Sequence, residues 1–237
     1  MDPPSAHQVV AMGGGGFLMD DPVLDRFAVD LTGAARPRVA FIPTAAGDAP
    51  TAIVAFFDAF PAHSFEPSVL RLFDRRVADL EAFCGEQDLI YVCGGNTAIL
   101  LAAWRTHGLD RALRTAADAG VVMAGMSAGA NCWFEASTTD SFLMGSADAL
   151  TDGLGFVPGS FTPHYAAEEA RRPSLHEHLA AGRLPDGYAC DDFAAVHLVD
   201  GQLAEAVASR RDASAYRVSR AEDGTVTEEP LAVRSLV

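Results

Sequence analysis

Apolar, β-branched runs alternate along this chain with stretches whose apolar residues recur at helical spacing. Residues 8–12 read as a short strand running into four glycines, Gly13 to Gly16. Residues 23–32 read as an amphipathic helix, and 38–42 as a buried strand stopped by Pro43. Residues 51–60 predict a helix with Thr51 as its N-cap. A strand over 68–73 and a helix of period 3.6 over 76–84 follow. Residues 89–93 form a strand that ends on Gly94 and Gly95. Two helical stretches, 98–107 and 110–118, lead into a fully apolar strand at 120–124. A late strand, 193–199, turns through Asp200-Gly201 into a hairpin, and 214–219 with 225–231 make a last β pair. Residues 134–192 hold the least regular stretch.

Strands alternating with helices of about 10 residues predict an α/β fold, its mostly parallel sheet flanked by helices on both faces. In such sheets ligands bind outside the carboxyl ends of the strands. The loops after Met12, Ile42, Val92 and Ala124 should therefore line one site. They read GGGG, PTAAGD, CGGNT and GMSAGAN. Neither an internal repeat nor a low-complexity linker interrupts the chain, so residues 1–237 are expected to form one domain.

Composition narrows the picture. A chain of 237 residues that is 49% apolar can bury a sizeable core, which sets aside a disordered tail, a collagen or a coiled coil. The longest apolar run, 98–104, is far short of the roughly 20 residues a membrane span needs. The first ten residues, MDPPSAHQVV, carry acid and proline where an export signal has basic residues and an apolar core. Seventeen basic residues, all arginine, face 32 acidic ones, for a net charge of −15. That balance argues against nucleic acid or an anionic membrane as partner. Cys84, Cys93, Cys132 and Cys190 are too few for a disulfide framework and have no ligand spacing for zinc. A cytoplasmic protein with free thiols and no metal is the simplest expectation.

The strongest local chemistry is Gly125-Met126-Ser127-Ala128-Gly129, a G-x-S-x-G directly after an apolar strand. Strand, tight turn and helix are the setting of a nucleophile elbow. The serine at the tip sits in a strained backbone, and its flanking glycines let strand and helix approach. Ser127 is the candidate nucleophile, and the Ala128 amide is placed to stabilise an oxyanion. Cys132 lies inside the following helix and is no rival. Cys93-Gly94-Gly95-Asn96-Thr97 ends another buried strand. Gly94 or Gly95 would supply a second oxyanion donor, with Asn96 orienting the loop or meeting substrate. Gly13 to Gly16 lack the spaced G-x-G-x-x-G of a dinucleotide site, so no cofactor is expected.

A serine needs a base, and seven histidines are available: His7, His63, His107, His164, His176, His178 and His197. His7 is placed in a frayed terminus, and His176 and His178 on a solvated helical face. His164 leads, because Phe161-Thr-Pro-His-Tyr165 puts rigid backbone just before its imidazole.

Taken together, Gly125 to Asn131, Tyr91 to Thr97 (YVCGGNT), Phe41 to Thr44 (FIPT) and Pro163-His164-Tyr165 resemble peptidase E. These serine peptidases remove N-terminal aspartate from dipeptides, and cyanophycinase is a more distant relative. The order and approximate spacing match over nearly the whole chain. The resemblance implies a class I glutamine amidotransferase-like α/β fold, a Ser-His-Glu triad and no cofactor. It puts the nucleophile on Ser127, the base on His164 and the oxyanion donors on Gly94 or Gly95 and Ala128. The family's acid falls on Asp192 when the segment is registered by Gly201-Gln202. Here aspartate replaces glutamate and is one methylene shorter. Asp191 is the adjacent alternative, and strand alternation would send the two to opposite sides. Asp140 and Glu135 are further acids near the nucleophile, read as loop structure or substrate-side lining. The family's aspartate-binding arginine falls on Arg171, with Arg172 beside it. Arg171 comes only 7 residues after His164, through a shorter loop than the family's.

A serine hydrolase of short peptides, with Asp-X specificity left open, is the reading these residues favour. Its partner is a small peptide, and a homodimer is compatible with it. A catalytically inactive binding homologue and a cyanophycinase-like hydrolase are the alternatives.

Overall fold

Strand β1 (Gln8–Met12) is apolar at four of its five positions, and all four are buried, so it belongs inside a sheet. The computed structural model describes residues 6–237. Asp2, Pro3 and Pro4, which argue against an export signal, lie outside the described residues. After β1 come α1 (Val23–Asp30), β2 (Arg38–Ile42), α2 (Pro50–Ala59), β3 (Glu66–Val69), α3 (Leu80–Gly85) and β4 (Leu89–Val92). There follow α4 (Thr97–His107), α5 (Leu109–Asp118), β5 (Val122–Met126), α6 (Ala128–Asn131), β6 (Phe134–Thr139), β7 (Asp148–Leu150) and β8 (Val157–Thr162). The chain closes with α7 (Arg171–Ala180), β9 (Gly187–Cys190), β10 (Ala194–Val199), β11 (Gln202–Ala208), β12 (Ala215–Arg220), β13 (Val226–Pro230) and β14 (Val233–Ser235).

Eight strands make one sheet in the order β14-β11-β10-β1-β5-β4-β2-β3. From β1 to β3 all neighbours are parallel, as the alternation of strands and helices predicts. β10 runs antiparallel to both β1 and β11, and Asp200-Gly201 makes the expected hairpin turn with both residues at positive φ. The fold is mixed α/β, its sheets flanked by helices.

A second sheet, of six strands in the order β13-β12-β9-β8-β6-β7, was foreseen only in its last pair, β12 with β13. Residues 134–192, expected to be irregular, supply four of its strands and α7, which packs on it. The apolar signal fails there because Ser137, Thr138, Thr139, Ser160 and Thr162 are all buried. One pair of interior hydroxyls meets across the sheet: Thr138 Oγ1 donates to Thr162 Oγ1 at 3.1 Å.

Capping shifts two boundaries. α2 begins at Pro50, whose missing N–H costs nothing at the first helical position, with Ala49 rather than Thr51 as cap residue. The helix expected over 76–84 starts only at Leu80, because the Asp79 side chain accepts from the Ala82 amide at 2.9 Å. β3 occupies Glu66–Val69 rather than 68–73, in register with Arg38 to Phe41 of β2. Between α2 and the sheet lies an aromatic cluster of Phe17, Phe41, Phe56, Phe60 and Tyr91. The Phe41 and Phe56 rings stack at 5.0 Å and 14°, and Phe17 meets Phe60 edge-on at 5.7 Å. No helix among the described residues is long and apolar enough to cross a membrane.

Candidate active site

β5 delivers Ser127 at its carboxyl end, and α6 starts on the next residue. Ser127 has φ 54° and ψ −117°, a strained conformation for a residue with a side chain. Steric limits explain both glycines of the turn. A Cβ on Gly125 would stand 2.3 Å from Gly129 O, and one on Gly129 would stand 2.3 Å from Val92 O. Ser127 N–H donates to Met12 O at 3.1 Å, which ties the turn to the end of β1.

His164 follows β8 and Pro163, with φ 52°, and its N–H donates to Gly13 O at 3.2 Å. Its Nε2 lies 2.8 Å from Ser127 Oγ, and its Nδ1 lies 2.6 Å from Asp192 Oδ1. With the Nδ1 proton on the carboxylate side, Nε2 is free to accept from the serine hydroxyl. The side chains of His164 and Asp192 are mostly covered, at 16% and 22% exposure, so the chain of contacts is shielded yet reachable.

Asp192 and Asp191 do face opposite ways, but not by strand alternation, for both lie in the link between β9 and β10. Asp192 bridges to Gly14. Asp191 turns to the other side, where its Oδ2 accepts from Ser214 N–H at 3.1 Å. Burial pushes the Asp191 carboxyl above its ordinary range. Asp140 and Glu135 reach neither Ser127 nor His164. Glu135, on β6 and not in a loop, accepts at Oε2 from Gly159 N–H of β8 at 2.9 Å.

Gly94 stands against the serine: a Cβ there would lie 3.3 Å from Ser127 Cβ. Gly95 has φ 139°, and a Cβ on it would lie 2.1 Å from Ala45 O, so the position admits only glycine. The amides of Gly94, Gly95 and Ala128 have no acceptor among the described residues. Free N–H groups beside a nucleophile are what an oxyanion site requires.

Asn96 orients its loop, the first of the two roles expected of it. Its Oδ1 caps α4 through Ile99 N–H at 2.9 Å, and its Nδ2 donates to Ser141 O at 2.9 Å. Arg171 departs from its expected role. It is 2% exposed, and its guanidinium donates to Glu168 Oε2 at 2.6 Å and Thr138 O at 3.0 Å, with Asp140 Oδ1 at 3.5 Å. Arg172 pairs with Glu228 Oε1 at 3.1 Å and lies over the Tyr165 ring.

The other histidines lie elsewhere. His7 is not frayed: its N–H donates to Asp200 Oδ1 at 2.9 Å and its ring packs on Phe156. His178, expected in solvent, is buried and accepts from Arg183 Nε at 2.7 Å. Cys132 is fully buried, and burial raises its thiol well above the ordinary range, as expected of an inert residue.

The glycine run after β1 lines the site, as the strand-end rule predicts, but its direct contact with Asp192 and His164 was not read from the sequence. A Cβ on Gly14 would stand 2.1 Å from Asp192 Oδ1 and 3.1 Å from His164 Cε1. A run of glycines at the end of the first strand was the available signal, since it admits close approach by side chains from elsewhere.

Comparison with known proteins finds peptidases. The model of peptidase family S51 matches residues 9–206. YgaJ, an uncharacterized peptidase of Bacillus subtilis strain 168, is 47% identical over 233 residues, which cover 97% of this chain and 99% of YgaJ. Among solved structures, a peptidase from an acI-B1 actinobacterium superposes with a TM-score of 0.72 at 19% identity, over 96% of this chain and 95% of the other. A candidate peptidase E protein from Listeria monocytogenes EGD-e superposes with a TM-score of 0.62 at 19% identity, over 84% of this chain and 97% of the other. At such identity these two structures speak for the fold alone.

Proposed function

The chain belongs to peptidase family S51, and from that premise we propose that it is a serine hydrolase of short peptides working through Ser127, His164 and Asp192. The observation that carries the proposal is the unbroken chain of contacts from Ser127 Oγ through the His164 ring to Asp192. In this reading Ser127 Oγ attacks the scissile carbonyl and gives its proton to His164 Nε2. Asp192 holds the imidazole tautomer and stabilises the imidazolium; at 2.6 Å the shorter aspartate side chain reaches Nδ1 without a glutamate's extra methylene. The Ala128 amide, with that of Gly94 or Gly95, receives the developing oxyanion. His164 then returns the proton to the leaving amine, and water releases the acyl group by the same steps.

The fold supports a class I glutamine amidotransferase-like assignment through its parallel block and the sharp serine turn after β5. We treat residues 1–237 as one such domain. Substrate choice is a separate matter. The guanidiniums of Arg171 and Arg172 already hold carboxylates of the protein itself, so the proposal carries no requirement for an N-terminal aspartate.

Hydrolysis of a dipeptide panel, including Asp-X, tests the reading. Wild type should cleave members beyond Asp-X. Ser127→Ala should lose activity by at least about 10³-fold while staying folded. A folded Ser127→Ala protein with full activity would overturn the mechanism.

A further inference from the structure

Three consecutive carbonyls at the end of β1 each hold a different segment of the proposed triad. Met12 O accepts from Ser127 N–H at 3.1 Å, and Gly13 O from His164 N–H at 3.2 Å. Gly14 O accepts from the N–H of Phe193, the neighbour of Asp192, at 3.0 Å. One extended run of backbone therefore sets the spacing of all three residues.

That run turns at Gly16, whose φ 71° and ψ −174° belong to a region open to glycine alone. Two buried side chains close on the turn. A Cβ on Gly16 would stand 2.7 Å from the Tyr91 hydroxyl and 2.8 Å from Asp25 Oδ1. Asp25, on α1, is 2% exposed, and Tyr91, on β4, is fully buried. The Tyr91 hydroxyl also lies 3.5 Å from Met12 Sδ, which links it to the first of the three carbonyl residues. The hydroxyl and the Phe17 amide face the Asp25 carboxyl, yet neither carboxyl oxygen makes a hydrogen bond of good geometry. The contact is polar packing against the glycine. A buried carboxyl without a committed partner weakens a fold, and such departures are expected where a residue serves a site.

We propose that Asp25 and Tyr91 clamp Gly16, and thereby hold the Met12–Gly14 carbonyls that space Ser127, His164 and Asp192. Asp25 is a positioning residue and touches none of the reacting atoms. The inference rests on the triad reading. The groups facing Asp25 are Tyr91 from β4, the Phe17 amide, and Asp21 from the turn before α1. Asp21 in turn accepts from Ser209 Oγ at 3.1 Å and Arg210 Nε at 3.4 Å. Burial above all pushes the Asp25 carboxyl up to about 7, with Asp21 adding to the effect and Tyr91 and Phe17 opposing it. Below that pH the neutral acid packs against Gly16. Above it, the buried carboxylate loosens the clamp.

The test is the rate at which a fluorophosphonate labels Ser127, followed from about pH 5 to about pH 9 in wild type, Asp25→Asn, Asp25→Ala and Tyr91→Phe. Wild-type labelling should fall toward alkaline pH as Asp25 ionises. Asp25→Asn should lose that fall. Asp25→Ala should label about 10-fold more slowly or worse across the range, and Tyr91→Phe should slow in the same direction. Asp25→Ala labelled at the wild-type rate would overturn the clamp. So would the same alkaline fall in wild type and Asp25→Asn, which decides the matter even where the alanine variant does not fold. Absence of any Ser127 adduct in wild type would instead overturn the triad reading itself, and the clamp's catalytic role with it.

Discussion

Ser127, His164 and Phe193 share a positive φ, at 54°, 52° and 68°. Strain of this kind persists only where surrounding contacts enforce it, and here it falls on or beside each member of the proposed triad. Ser127 was legible because its motif sits after an apolar strand, and His164 because of the proline before it. Their mutual spacing was not legible, since it depends on carbonyls of a glycine loop far away in sequence. Asp25 was not legible either. Beside Leu24 in an amphipathic helix it reads as one more solvent-facing acid, and only Gly16 and Tyr91 make its site buried. Its carboxyl, raised from the ordinary value to about 7, has a definite consequence for stability. The folded state holds the proton more tightly than the unfolded chain, so stability from this group is greatest below the ordinary carboxylate range. It falls as pH rises toward about 7 and then levels off. The loss, at about 1.4 kcal/mol per unit, is of the order of 4 kcal/mol. Asp25→Asn should therefore match wild type more closely at acid pH and gain on it as pH rises from the ordinary carboxylate range toward about 7, as read by urea unfolding. A difference that does not change with pH would contradict the burial argument.

α2 shows how much of an element's worth lies in its partners. Its Phe56 is fully buried, stacked on Phe41 of β2 and packed against Phe17 and Phe60. Phe56→Ala should remove that stacking, leave a cavity and destabilise the protein by about 3–5 kcal/mol in urea unfolding. A loss under about 1 kcal/mol would mean that the cluster collapses around the gap. The parallel strands 8–12, 38–42 and 89–93 were readable because burial on both faces makes continuous apolar runs. Of the second sheet only the last pair, β12 with β13, was readable, because serine and threonine occupy most of the buried positions of β6 and β8. Helix starts were misplaced by a few residues where a proline or a capping aspartate, not hydrophobic period, sets the boundary.

At the scale of the molecule, the proposed triad is drawn from both sheets. Ser127 ends β5 of the eight-stranded sheet, His164 follows β8 of the six-stranded one, and Asp192 lies in the link from β9 to β10 that crosses between them. No single element carries the chemistry, which exists only when the two sheets are docked. The order of motifs along the chain pointed to this site without revealing the second sheet that supplies its base. The measurement that tests the central claim most directly is mass mapping of the fluorophosphonate adduct on the folded protein, with Ser127→Ala alongside. The account predicts one adduct, on Ser127, and none in the variant. A folded wild-type protein that stays unlabelled, or a variant labelled as readily as wild type, would contradict it.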